Sequence, residues 1–100
     1  MSLHVPTDRL PREGNLLAVS VDGTAVALAR VDGAVYAFQD ECTHQACSLS
    51  LGDVEGHHVV CPCHLGTFDV VSGDVVSGPP KAALRTWAVT AHDGGVELAG

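Results

Sequence analysis

From Asn15 the chain alternates: Leu17, Val19 and Val21 interleave with Leu16, Ala18 and Ser20. An Asp22-Gly23 pair follows, a strong signal for a two-residue hairpin turn. Residues 24–31 read as a second strand, and Asp32-Gly33 repeats the turn. Residues 34–39 carry Val35, Tyr36 and Phe38, side chains suited to a half-buried pleated surface. Three strands joined by two Asp-Gly turns predict an antiparallel meander. The segment before Gly14 contains Pro6 and Pro11 and reads as an edge segment or loop.

Beyond Asp40 the periodicity stops. Small or polar residues dominate positions 40–56, which read as one long loop, a length that in a small domain usually has a function. Short strands are predicted over residues 57–61, 67–71 and 75–76, with Ser72-Gly73-Asp74 as a turn and Gly78-Pro79-Pro80 as a break. A last hairpin spans residues 83–91 and 96–99 around Asp93-Gly94-Gly95. No stretch has a helical period with caps. The expected fold is all-β, a small antiparallel sandwich or barrel, with two loops inserted near its middle.

One hundred residues bound this to one domain, residues 1–100. The apolar residues are mostly Val, Ala and Leu, with four aromatics, so the core is modest and a metal or cross-link would help it. A net charge of −7 argues against nucleic acid as a partner. No apolar run is long enough to span a bilayer, and the first residues lack a secretory signal, so the expected setting is cytoplasmic, with no membrane partner.

The chemistry concentrates in Cys42-Thr43-His44 and Cys61-Pro62-Cys63-His64, with sixteen residues between His44 and Cys61. Three readings compete for the four cysteines. A bare disulfide framework leaves the fixed offsets of the two histidines unexplained. A structural zinc site suits the donor set but fits the long insert poorly. A two-iron, two-sulfur cluster with two histidines replacing two cysteines accounts for all four positions.

The pattern Cys42-x-His44…Cys61-x-x-His64 resembles the Rieske family at every ligand position. The run from His64 through Gly66 to Phe68 is similar to that of the Rieske ferredoxins serving bacterial aromatic-ring-hydroxylating dioxygenases. The resemblance implies a Rieske-type fold whose cluster-binding part occupies residues 40–80. It implies one [2Fe-2S] cluster per chain, with Cys42 and Cys61 on one iron and His44 and His64 on the other. Pro79 would belong to a third loop packed over the cluster. The implied function is one-electron transfer, without catalysis by the chain itself. Electrons would pass from a flavin-dependent reductase to a terminal oxygenase, in transient, electrostatically assisted contacts with a monomeric carrier. The alternatives are a Rieske-like small subunit of a nitrite reductase, many of which have lost ligands, and a structural zinc-binding module.

Two details adjust that picture. Respiratory Rieske proteins place Ser and Tyr two and four residues after the second ligand histidine, and both hydroxyls donate hydrogen bonds at the cluster. Here Gly66 and Phe68 stand there, which implies a lower potential. Cys47 and Cys63 occupy the offsets at which respiratory members form a disulfide between the loops, so the resemblance implies the same bridge here, protected by burial. The remaining candidates read as bland. Asp40, Glu41, Asp53, Glu55 and Asp69 form a solvated acidic rim, His57 and His58 begin a surface strand, and His4 and His92 fall at edge or turn positions.

Overall fold

The two Asp-Gly pairs behave as their chemistry requires. Asp22 and Gly23 have φ of 52° and 81°, and Asp32 and Gly33 have 52° and 79°. Two consecutive positive φ values match the right-handed twist of the flanking strands, which is why such pairs close tight hairpins. In this computed structural model, residues 2–43, 47–63, 66–78 and 82–99 are described. The turns join β2 (Leu16–Val21), β3 (Thr24–Val31) and β4 (Ala34–Gln39) into the expected meander.

Among the described residues, ten strands form two antiparallel sheets. The larger sheet has the order β1-β10-β9-β4-β3-β2, with β1 at Ser2–Pro6, β9 at Thr86–His92 and β10 at Gly95–Ala99. It curves into a near-barrel whose interior holds Val5, Val21, Val26, Leu28, Trp87 and Leu98. The smaller sheet runs β5-β6-β7-β8, from β5 (Asp53–Glu55) and β6 (His58–Val60) to β7 (Thr67–Asp69) and β8 (Val75–Ser77).

The alternation of β3 explains how the sheets are joined. Val26 and Leu28 face the barrel interior, while Ala27, Ala29 and Val31 face a second core shared with Phe38, Leu49, Val59, Phe68 and Leu84. Side chains of one strand point to opposite faces, so a strand apolar on both faces can serve two cores. Alanine at 27 and 29 keeps that contact thin and lets the smaller sheet approach.

Of the two expectations for the first residues, the structure shows the edge segment: β1 pairs with β10 from Ser2↔Ala99 to Pro6↔Gly95. The structure departs from the sequence reading in two places. The long loop contains a 3-10 turn at Leu49–Leu51 and strand β5. Its residues alternate too briefly to be read as a strand, and β5 exists because β6 supplies its hydrogen-bond partners. The strand predicted over 83–91 begins only at Thr86.

Candidate metal centre

Both candidate thiols lie at the base of a loop that closes on itself. The Cys42 N–H donates to the Cys47 carbonyl at 2.9 Å, and the Cys61 N–H donates to the Gly66 carbonyl at 2.7 Å. Each loop is thus bridged from its leading cysteine to the residue five positions on. Below the first loop, Glu41 and Ser48 form an isolated antiparallel bridge. Cys42 and Cys61 are free thiols, 3% and 0% exposed, and both belong to the core shared with Phe68 and Leu49.

The loops are cross-linked. Cys47 and Cys63 form a disulfide with a Cα–Cα separation of 6.4 Å. The pairing is the expected one, but its setting differs: Cys47 is half-buried and Cys63 is exposed, so the bridge is not shielded by burial. Cys42 and Cys61 lie within the core, whereas Cys47 packs at its margin and Cys63 is exposed. This division sorts the four cysteines into two pairs by environment.

Acidic residues expected on a solvated rim turn out to hold the loops. Asp40 is 4% exposed. Its carboxylate accepts from the Ser50 N–H at 2.6 Å and the Ser50 hydroxyl at 3.0 Å, while its carbonyl accepts from the Leu49 N–H at 2.6 Å. Its own N–H donates to the Ala25 carbonyl at 3.1 Å, tying the first loop to β3. Asp69 is half-buried and accepts from the N–H groups of Val71 and Ser72 at 2.7 and 3.1 Å, capping the turn before β8. A short carboxylate satisfies backbone donors that a tight loop leaves unpaired, which is the reason for both corrections. A sequence cue exists only at Asp69, which lies three residues before Ser72-Gly73; Asp40 is followed by Glu41-Cys42-Thr43 and carries none. Glu41, Asp53 and Glu55 are exposed as expected.

Other contacts fix the surroundings. The Thr43 hydroxyl donates to the Ala82 carbonyl at 2.7 Å, joining the first loop to the segment before β9. Gly52 packs so closely on the Val60 carbonyl that any side chain would collide with backbone. Gly66 and Phe68 are both buried, and neither carries a hydroxyl. His57 is exposed, with Nε2 3.4 Å from an Asp32 carboxylate oxygen. Trp87 is a core residue with the Arg85 guanidinium over its ring at 4.4 Å. His44, His64 and Pro79 lie outside the described residues.

The donor set fits a thiolate-bound iron–sulfur group. Two free, buried cysteines in one core, on loops cross-linked by the other two, are a poor arrangement for a disulfide framework but a good one for soft metal ligation.

Comparison with known proteins points the same way. Residues 3–88 match the Rieske [2Fe-2S] domain. The chain is 40% identical over 77 residues to the ferredoxin component of the naphthalene 1,2-dioxygenase system of Pseudomonas aeruginosa, covering 77% of this chain and 74% of that protein. The structure of Sphingomonas yanoikuyae B1 ferredoxin superposes with a TM-score of 0.91 at 30% identity, covering 100% of this chain and 99% of the other. A chain from a complex of reduced oxygenase and oxidized ferredoxin in carbazole 1,9a-dioxygenase gives a TM-score of 0.90 at 34% identity, covering 97% and 100%.

Proposed function

The chain belongs to the Rieske [2Fe-2S] family, and from that premise we propose that it is the ferredoxin of a multicomponent aromatic-ring oxygenase. The observation that carries the reading is the pair of buried thiols, Cys42 and Cys61, each at the base of a self-closed loop. In this reading they ligate one iron, and His44 and His64 ligate the other, within a cluster-binding part spanning residues 40–80 of one Rieske domain. When bound, the cluster supplies a one-electron redox centre. The protein's part is to hold it, keep water from its thiolates and set its potential; it makes and breaks no substrate bonds.

Several residues have defined tasks in this scheme. The Cys42 and Cys61 N–H groups are committed to the loop bases, so their backbones stay in place when the charge of the centre changes. Asp40 anchors the first loop to β3, and the Cys47–Cys63 bridge limits how far the loops can separate. Gly66 directs its carbonyl to Cys61, and Phe68 fills the core with a ring. Because neither offers a hydroxyl donor, reduction is less favoured than it would be with Ser and Tyr there. The potential is expected in the lower half of the range of about −150 to +300 mV covered by Rieske centres.

The partners in this scheme are a flavin-dependent reductase as donor and a terminal oxygenase as acceptor, both meeting the carrier in the cytoplasm. Exposed Glu41, Asp53 and Glu55, on a chain of net charge −7, favour basic partner faces. Electron transfer should therefore slow as salt rises.

The test is an EPR spectrum of dithionite-reduced protein together with iron and zinc analysis. The expected result is a Rieske-type signal with about two irons per chain. A silent spectrum with stoichiometric zinc would end the proposal.

A further inference from the structure

Away from the cysteine loops, three strands of the larger sheet bring together side chains that are distant in sequence. β1, β10 and β9 are neighbours, with His4 opposite Glu97 and Glu97 opposite Thr90. Val5, Val96 and Leu98 point into the barrel, so the alternate positions point to solvent. His4, Glu97 and Thr90 therefore share the outer face, and His92, two residues beyond Thr90, shares it as well. All three metal-capable residues, His4, His92 and Glu97, are exposed.

Their geometry is close to that of a ligand set. One ligand atom from each lies within 4.8 Å of the others. His92 Nε2 stands 3.5 Å from Glu97 Oε1. The two imidazole rings have centroids 5.6 Å apart and planes inclined at 33°. Tetrahedral zinc with nitrogen and oxygen ligands at about 2.0–2.2 Å needs those atoms about 3.4 Å from one another. The His92–Glu97 pair already has that spacing, and the His4 ligand nitrogen lies within 4.8 Å of both on an exposed side chain.

We propose that His4, His92 and Glu97 form a surface site for a divalent transition metal, Zn²⁺ in the first instance, with water completing the coordination. Two imidazoles and one carboxylate suit zinc, copper or nickel, whereas magnesium and calcium prefer all-oxygen sites. The site would span three strands and pin edge strand β1 to β9 across β10. Because the three ligands converge only in the folded sheet, binding would stabilise the fold by linkage. The site is separate from the iron–sulfur centre, so its occupancy does not depend on the electron-transfer reading.

The experiment is a calorimetric titration of tag-free, cluster-loaded protein with Zn²⁺, with Mg²⁺ as control and the visible absorption of the cluster recorded throughout. The expected result is one zinc per chain, no heat with Mg²⁺, an unchanged visible spectrum and a raised Tm. His4→Ala and His92→Ala should each weaken binding by on the order of tenfold or more, and remove the Tm increase. Both positions are exposed, so the variants should fold, which the same visible spectrum verifies. Absence of zinc binding would overturn the proposal. So would binding that survives in the His4→Ala/His92→Ala double variant, or zinc uptake that bleaches the cluster stoichiometrically.

Discussion

Strands in the larger sheet run from five to eight residues, while every strand of the smaller sheet has three. Five of these six long strands sit in hairpins closed by local turns, β1 being the exception, and their alternating side chains fill a barrel interior. Three-residue ladders make too few backbone bonds and bury too little to persist alone. The smaller sheet therefore relies on ties from outside: the second core against β3, the Asp40 anchor and the Cys47–Cys63 bridge. What the comparison teaches is that the redox end of the molecule is held by tertiary constraints, while the barrel is held by regular structure.

The comparison can be tested most sharply by emptying each core in turn. Phe68 and Leu98 are both wholly buried, the first in the core behind the cysteines and the second in the barrel. Phe68→Ala should cost about 3–5 kcal/mol and Leu98→Ala about 2–5 kcal/mol in urea unfolding. Only Phe68→Ala should also accelerate loss of the visible cluster absorption under native conditions. Equal bleaching rates in the two variants would show that the regions are not held independently.

Next in size is the bridge between the loops. It closes a segment with a sequence separation of 16, for which loop-closure entropy suggests about 3 kcal/mol. The Cys47→Ser/Cys63→Ser double variant should unfold at lower urea and release iron faster, yet give the same EPR signal when freshly loaded. Because Cys63 is exposed, mild reductant should reproduce the variant's behaviour in the wild-type protein.

Asp40→Ala removes the partner of a backbone N–H and of a hydroxyl in a part-buried setting. An unsatisfied buried group costs about 1–3 kcal/mol, and the loss should appear in denaturant unfolding and as faster hydrogen exchange at Ser50.

The smallest effect belongs to the larger sheet. Glu13 accepts from the N–H groups of Asp32 and Gly33 at 2.7 and 2.9 Å, clamping the β3–β4 turn. Hydrogen bonds from Gly33 and Asp32 hold its pKa below the ordinary 4.5. A depressed carboxylate pKa means the folded state favours the charged form. That contribution is complete above the unfolded pKa and fades as pH falls through 4.5 toward the folded value. The group is exposed, so the effect is slight. Glu13→Gln should lower the urea midpoint a little at neutral pH, with the gap to wild type closing in acid.

Legibility followed the same division. The meander, its turns and the final hairpin were readable because Asp-Gly pairs and period-two alternation act within a few residues. The cysteine offsets carried the disulfide pairing through family resemblance. Asp40 and Asp69 were misplaced on a solvated rim because burial of a carboxylate depends on which backbone donors the folded loop presents, and that is decided elsewhere in the chain.

By itself the sequence determined the all-β character, the turn positions and the spacing Cys42-x-His44…Cys61-x-x-His64, since each rests on local stereochemistry or on residue type. Tertiary structure alone decided that β1 pairs with β10 at the edge of the larger sheet, that Asp53–Glu55 becomes a strand, and that His4 meets His92 and Glu97. Those outcomes depend on pairing with distant or neighbouring strands. The alternation of a short segment says which side chains share a face, but not which strand will lie beside it.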